Sequence, residues 1–172
     1  MALLTEAVLA QGHRRIGVIT AVTKGNDRAA DRLQGIRDAL QARGLDPETL
    51  AVIETPYGVE NGEVAMRTLM QTDAAPTVVM CGNDVLAAGA LRGAKAMGLS
   101  VPQDVSVTGF DDIELARIVT PALTTVHVPH REMGTKAAKA LIAMVEGAAP
   151  PAPTELPISL EIRDSLGPVK TA

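Results

Sequence analysis

An α/β fold, with an open parallel sheet of about five to six strands and helices on both faces, is what this 172-residue sequence predicts. Three observations predict it. Short β-rich runs alternate with helix-length amphipathic stretches along nearly the whole chain, which is the pattern of βαβ units. An apolar share of 47% against 21% charged is enough for a packed core and too high for a disordered chain. The length suits one substantial core, since domains commonly run to roughly 100–200 residues. Right-handed crossovers then settle most of the topology.

The elements follow in order. Residues 3–11 read as a helix with Leu3, Leu4, Ala7, Val8 and Leu9 apolar, ended by Gly12. IGVIT (16–20) is the first strand, and a polar loop covers 21–27. Residues 28–43 form an amphipathic helix, with Ala29, Leu33, Ile36 and Leu40 recurring at three- to four-residue spacing and Gly44 closing it. LAVIET (50–55) is the second strand; Gly58 and Asn61 mark the loop before a helix over about 62–72. After Pro76 comes the third strand, TVVMC (77–81), and an Ala- and Leu-rich helix over 85–97 that stops at Gly98. VSVTGF (105–110) is the fourth strand, followed by an acidic turn, a short helix and a proline break. TTVHV (124–128) is the fifth, followed by a helix over 131–147, the proline-rich linker APPAPTELP (149–157) and a last strand, ISLEI (158–162).

Composition narrows the function. The 16 basic and 20 acidic side chains leave a net charge of −4, without the basic footprint of a nucleic-acid-binding surface. The single basic cluster, His13-Arg14-Arg15, reads as a solvated loop, and DNA binding by this chain alone is not expected. Cys81 is the only cysteine, so no internal disulfide forms and a reducing compartment is natural. No apolar run reaches the length of a membrane span, and MALLTEAVLA lacks the basic start of an export signal. A cytoplasmic protein without membrane association is the expectation.

Every strand delivers polar residues to the same carboxyl edge, where ligands of open α/β sheets bind. Asn26, Asp27, Arg28 and Arg32 follow the first strand, and Tyr57 follows the second. Asn83 and Asp84 follow the third, Asp111 and Asp112 the fourth, and His127 and His130 lie by the fifth. Carboxylates and carboxamides accept from hydroxyls, a guanidinium donates to oxygens, and an aromatic ring covers a C–H face, so the set suits a polyhydroxylated ligand. Plainer readings stand beside this one. Asp84 and Asp112 each precede a helix and read as N-caps before ligand contacts. Asn83 reads equally as a turn residue, Arg32 as a solvated helix face and Tyr57 as a loop aromatic. Asp111 is harder to dismiss, because an Asp-Asp pair needs only one cap. Tyr57 and Phe110 are the only aromatics, so their positions carry weight.

Catalytic and cofactor patterns are missing. No glycine-rich dinucleotide fingerprint follows IGVIT, and neither GxxxxGK[ST] nor GxSxG occurs. His13, His127 and His130 lack the spacing of a metal site, and no second cysteine supports zinc. FDDIE imitates an acidic magnesium site without a second acidic strand end to complete it. No enzyme, no metal and no cofactor are expected.

Five blocks, GHRRIGVI (12–19), RLQGIRDAL (32–40), CGNDVLAAGAL (81–91), VPQDVSVTGFDDIELA (101–116) and PALTTVHVP (121–129), stand in order and at normal spacing. Together they resemble the lactose-repressor (LacI/GalR) family of bacterial transcription regulators, over about residues 3–164. The resemblance implies a sensor domain of the periplasmic-binding-protein type, built of two α/β lobes with a sugar or similar effector between them. By it, Arg32, Asn83 and Asp111 reach the effector and Tyr57 stacks on it. Asn26 and Arg28 fall where members vary their selectivity, while Val128 and His130 lie on a crossing segment that lines the cleft.

The resemblance also implies an incomplete regulator. Residues 1–129 and 155–166 correspond to the C-terminal lobe, 130–148 to a helix crossing to a second lobe, and 149–157 to the linker back. The helix-turn-helix headpiece and most of the N-terminal lobe have no counterpart here. The crossing helix carries Met133, Ala137, Ala140, Leu141, Met144 and Val145 on one stripe. A stripe of that size marks an interaction surface. Dimerisation, exchange between chains, or folding onto its own lobe would hide it, and a homodimer is expected. The leading reading is a non-enzymatic, effector-sensing segment that reaches DNA only through a headpiece outside this chain. A sugar-binding protein of a transport system and an aspartate-dependent phosphatase or hydrolase are the alternatives.

Overall fold

A computed structural model describes residues 1–170. The chain runs α1 (Ala2–Ala10), β1 (Ile16–Thr20), α2 (Asp27–Ala42), β2 (Ala51–Glu54), α3 (Val59–Met70) and β3 (Val78–Cys81). It continues through α4 (Asp84–Ala96), β4 (Ser106–Thr108), α5 (Leu115–Ile118), β5 (Thr125–His127), α6 (His130–Val145) and β6 (Ser159–Glu161). All the expected elements are present. The third helix starts earlier than the spacing suggests, because Gly58 rather than Asn61 precedes its first turn and Asn61 lies inside it.

Strands β2, β1, β3 and β4 form one parallel sheet in that order. The expected fifth and sixth strands are attached differently. β5 continues beside β4 only through the parallel bridges Thr108–Thr124 and Asp111–His127. β6 pairs with β5 antiparallel. The physical reason lies past Thr108: Asp111 and Asp112 adopt positive φ (109° and 55°), which ends the regular ladder and turns the chain.

Period-two alternation in the sheet divides the core between its faces. Ile16, Val18, Val78 and Met80 pack with Leu4 and Val8 of α1 and with Leu33, Ile36 and Leu40 of α2. Ile19, Val79, Cys81 and Val107 face the other way, onto Met66 and Leu69 of α3 and Leu86, Ala90 and Ala94 of α4. Each of these strands is covered on both faces, which explains why they read as continuous apolar runs. Helices α3 and α4 approach closely because Gly62 and Gly89 face each other. A Cβ on Gly89 would stand 2.1 Å from the Val59 carbonyl oxygen.

Two features depart from expectation. His13 is not in a solvated loop; its ring is buried and bonds Thr77 Oγ1 (2.9 Å) and the Gly167 carbonyl (3.0 Å). The imidazole thereby pins the C-terminal segment beneath the sheet. Helix α6 forms as expected but has no buried residue, with Leu141 63% and Val145 81% exposed. The stripe is not folded onto its own lobe.

Candidate functional site

The site grows from the carboxyl ends of β1, β3 and β4, which the parallel sheet places on one edge. Two helices begin there. Asn26 caps α2 by accepting from the Ala29 N–H (3.2 Å), and Asn83 caps α4 by accepting from the Leu86 N–H (2.8 Å). The side-chain oxygens of both asparagines are therefore engaged, which leaves their amide N–H groups as donors.

Arg32 lies a turn and a half into α2, so its side chain reaches back across the rim. Its guanidinium donates to the Gly82 carbonyl at 2.7 Å and to Asp111 Oδ1 at 3.1 Å. It also stacks over the Phe110 ring, 4.2 Å from the centroid. A cation on an aromatic face gains about 0.5–2 kcal/mol, more when shielded from water. Arg32 thus joins the ends of β3 and β4. Asp111 Oδ1 also faces His130 Nε2 at 3.4 Å. Arg32 and Asp111 each keep 19% of their side chain exposed, so the pair remains reachable.

Two open concavities meet at this pair. One, of about 660 Å³, is lined by Arg28, Arg32, Phe110, Val128 and His130, with α6 and the linker as its far wall. The other, of about 600 Å³, is lined by Asp111, Asp112, His127, Val128 and His130. The structure therefore brings together Arg28, Arg32, Asp111, Val128 and His130. Asn26, Asn83 and Tyr57 line neither concavity, and Tyr57 stands 48% exposed in the loop after β2.

The second residues of the Asn83-Asp84 and Asp111-Asp112 pairs have different parts from those expected. Asp84 is not the cap of α4, because Asn83 takes that place and Asp84 is the first helical residue. Its carboxylate is fully buried and accepts from Thr125 Oγ1 (2.6 Å) and the Ile113 N–H (2.9 Å). Its own N–H donates to the Phe110 carbonyl at 3.0 Å. Asp84 therefore grips the acidic turn on both sides. Gly109 leaves the space for it: a Cβ there would lie 2.2 Å from Asp84 Oδ1. Burial, offset in part by these hydrogen bonds, pushes the Asp84 carboxyl up to about 6, and the nearby charges of Asp111 and Asp112 add to the rise.

Asp112 caps no helix either. Its carboxylate is 1% exposed and meets Arg163 (2.5 Å), Arg117 (3.1 Å) and His127 (3.0 Å). Burial alone would raise it. The hydrogen bonds from Arg163, Arg117 and His127 outweigh that and hold the carboxyl below its usual range. Sequence reasoning places Asp84 on the rim chiefly as a helix cap and gives Phe110 and Arg163 no part in the site. Phe110 had a signal in its rarity; Arg163 had none, since its partner lies far back in the sequence. Among the described residues no cluster of His, Cys, Asp and Glu is arranged to hold a metal ion, and no helix is long and apolar enough to cross a membrane.

Residues 5–166 match the family model of the periplasmic binding protein-like domain. The ribose operon repressor of Haemophilus influenzae is 36% identical over 144 residues, covering 84% of this chain and 43% of that protein. The chain thus spans less than half the length of that curated relative. Among solved structures, a LacI family transcriptional regulator from Enterococcus faecium with bound ribose superposes with a TM-score of 0.88 at 29% identity, covering 98% of this chain and 62% of that one. The lac repressor dimer bound to operator and the anti-inducer ONPF gives a TM-score of 0.87 at 28% identity, over 96% of this chain and 57% of the other. With the family model matching residues 5–166 and these regulators similar over nearly the whole chain, the chain belongs to the LacI family of transcription regulators, as a segment of their periplasmic binding protein-like effector domain.

Proposed function

We propose that this chain is the effector-reading half of a LacI-type regulator, that it takes a small polyhydroxylated molecule such as a sugar, and that it catalyses no reaction. The observation that carries this reading is the Arg32–Asp111 pair, held across three elements on the ligand-binding edge and still partly open. A ligand hydroxyl placed between them donates to the carboxylate and accepts from the guanidinium. His130 and Val128 form the adjoining wall, and Arg28 extends the donor set. Tyr57, Asn83 and Asn26 serve from the outer rim, with Tyr57 covering an apolar ligand face. The bound ribose of the Enterococcus relative supports a sugar.

Residues 1–129 and 155–166 act as one lobe, and 130–148 with the linker 149–157 as the crossing to a second. DNA contact belongs to the part of a full regulator that this chain does not span, and the whole works in the cytoplasm as a homodimer. The operator-bound dimer of the lac repressor supports that assembly, and the bare apolar stripe of α6 supports a covering partner. Effector closure would then shift a two-state equilibrium between lobes and headpieces.

Calorimetry with a panel of pentoses and hexoses tests the reading. One sugar is expected to bind weakly, since only half the site is present, and Asp111→Ala should cost about 1.5–3 kcal/mol, the scale of a hydrogen bond to a charged group. Binding by none of them, or unchanged affinity in the variant, would remove this assignment.

A further inference from the structure

We propose that Arg163 is a positioning residue for the effector site: acting through Asp112, it fixes the turn that presents Asp111. The proposal rests on the reading of Asp111 as a ligand contact. Asp111 and Asp112 both sit at positive φ, a conformation that is costly for a non-glycine residue and persists only when its surroundings enforce it. The backbone is enforced from one side by Asp84, which holds Phe110 and Ile113. The other side is held by Arg163.

The guanidinium of Arg163 forks. One nitrogen donates to Asp112 Oδ1 at 2.5 Å and the other to the Leu123 carbonyl at 2.8 Å. Its backbone N–H donates to Thr124 Oγ1 (2.9 Å), and that hydroxyl donates to the Arg163 carbonyl (3.1 Å). Arg163 is thus fastened at both ends, with 16% of its side chain exposed, and the carboxylate it holds has 1%. Of the two other partners of Asp112, Arg117 is 66% and His127 43% exposed. Solvent competes with both, which leaves Arg163 as the dominant shielded cation. A buried carboxylate deprived of such a partner must move toward water or take up a proton. Either change releases the turn, and with it the Asp111 oxygen that faces Arg32 and His130.

Arg163 also follows β6, the strand that returns from the α6 excursion, while His127 ends the strand that leaves for it. Asp112 therefore ties the acidic turn to both feet of that excursion. Displacement of α6 and its linker is therefore felt at the acidic turn through this carboxylate, beside the direct contact of His130 with Asp111.

The test compares the wild-type chain with Arg163→Met and Arg163→Lys by amide hydrogen exchange. The reporters are Asp111 N–H on Val126, Ile113 N–H on Asp84, and the sheet amides of Val79 and Met80. In Arg163→Met the turn amides should exchange at least about tenfold faster while the sheet amides stay within about twofold, the pattern of a local opening. Lysine, which can replace one arm of the fork, should restore part of the protection. Unchanged turn amides would overturn the proposal. So would turn and sheet amides accelerating together, because Arg163 would then support the whole fold rather than the site. Ribose titrated into the same three proteins reads the consequence: where the wild type binds, Arg163→Met should bind at least about tenfold more weakly and Arg163→Lys in between. Equal affinity would contradict the proposal. If the wild type takes no ribose, ribose is excluded as the effector, and the exchange pattern still decides the role of Arg163.

Discussion

Replacing Asp84 with asparagine separates the charge of this buried group from its hydrogen bonds. The carboxyl is raised from its ordinary 3.8 to about 6, chiefly by burial. Between those values the unfolded chain has already released the proton that the folded chain keeps. Stability therefore falls as pH rises from about 4 to about 6, and levels off above. At 1.36 kcal/mol per pH unit, a shift of about two units amounts to about 3 kcal/mol at neutral pH. The substituted carboxamide would keep an oxygen for the Ile113 N–H and turn its nitrogen toward Thr125, whose hydroxyl accepts as well as donates. Asp84→Asn should thus be more stable than wild type at pH 7.5, by up to about 3 kcal/mol, with the difference shrinking toward pH 4. Urea unfolding followed by far-ultraviolet circular dichroism measures this, a useful probe in a chain without tryptophan. Other titrating groups cancel in the comparison. A difference between the two proteins that does not vary with pH would refute the reasoning.

Further expectations concern other parts of the molecule. Gly89→Ala drives a methyl group to 2.1 Å from the Val59 carbonyl and should cost about 1–3 kcal/mol in thermal or urea unfolding, as overpacked helix contacts do. His13 is held below its ordinary 6.5, mainly by burial, so the unfolded chain binds protons more readily there. Its contribution should be complete above about pH 6.5 and decline as pH falls, so the advantage of wild type over His13→Gln narrows on acidification. Arg32→Met removes the bonds to Asp111 and Gly82 and the stacking on Phe110. It should weaken sugar binding by about 1.5–3 kcal/mol in calorimetry.

How far the sequence speaks for itself differs from residue to residue. The alternation of strand and helix, and the burial of IGVIT between two helical layers, were legible because they depend on local pattern alone. Arg32 and Asp111 were legible as candidates, since strand ends and helix starts place them on one edge. Their mutual contact spans 79 positions, which no local period encodes. Asp84 reads from the sequence as the cap and Asn83 as a turn residue; only the turn from Phe110 to Ile113 decides that Asn83 caps α4 while Asp84 grips that turn. His13 looked solvated among arginines because its partner at Gly167 lies 154 residues away. The sheet closed at four strands for a similar reason. The positive φ of Asp111 and Asp112 is enforced by Asp84 and Arg163, and nothing in VSVTGFDD announces it. Tyr57 stays apart from the Arg32–Asp111 concavities, and its role rests on the reading of function.

Whether a ligand docks on the Arg32–Asp111 edge is the question on which the proposed function stands. Backbone amide shifts of the isotopically labelled chain, followed during titration with ribose and the other pentoses and hexoses, answer it residue by residue. For the sugar that binds, changes should concentrate at Arg32, Asp111, Val128 and His130 and be abolished by Asp111→Ala. Shifts confined to another surface, such as Arg14 and Arg15 at the opposite end of the strands, would contradict docking on this edge, as would shifts here that persist in the variant.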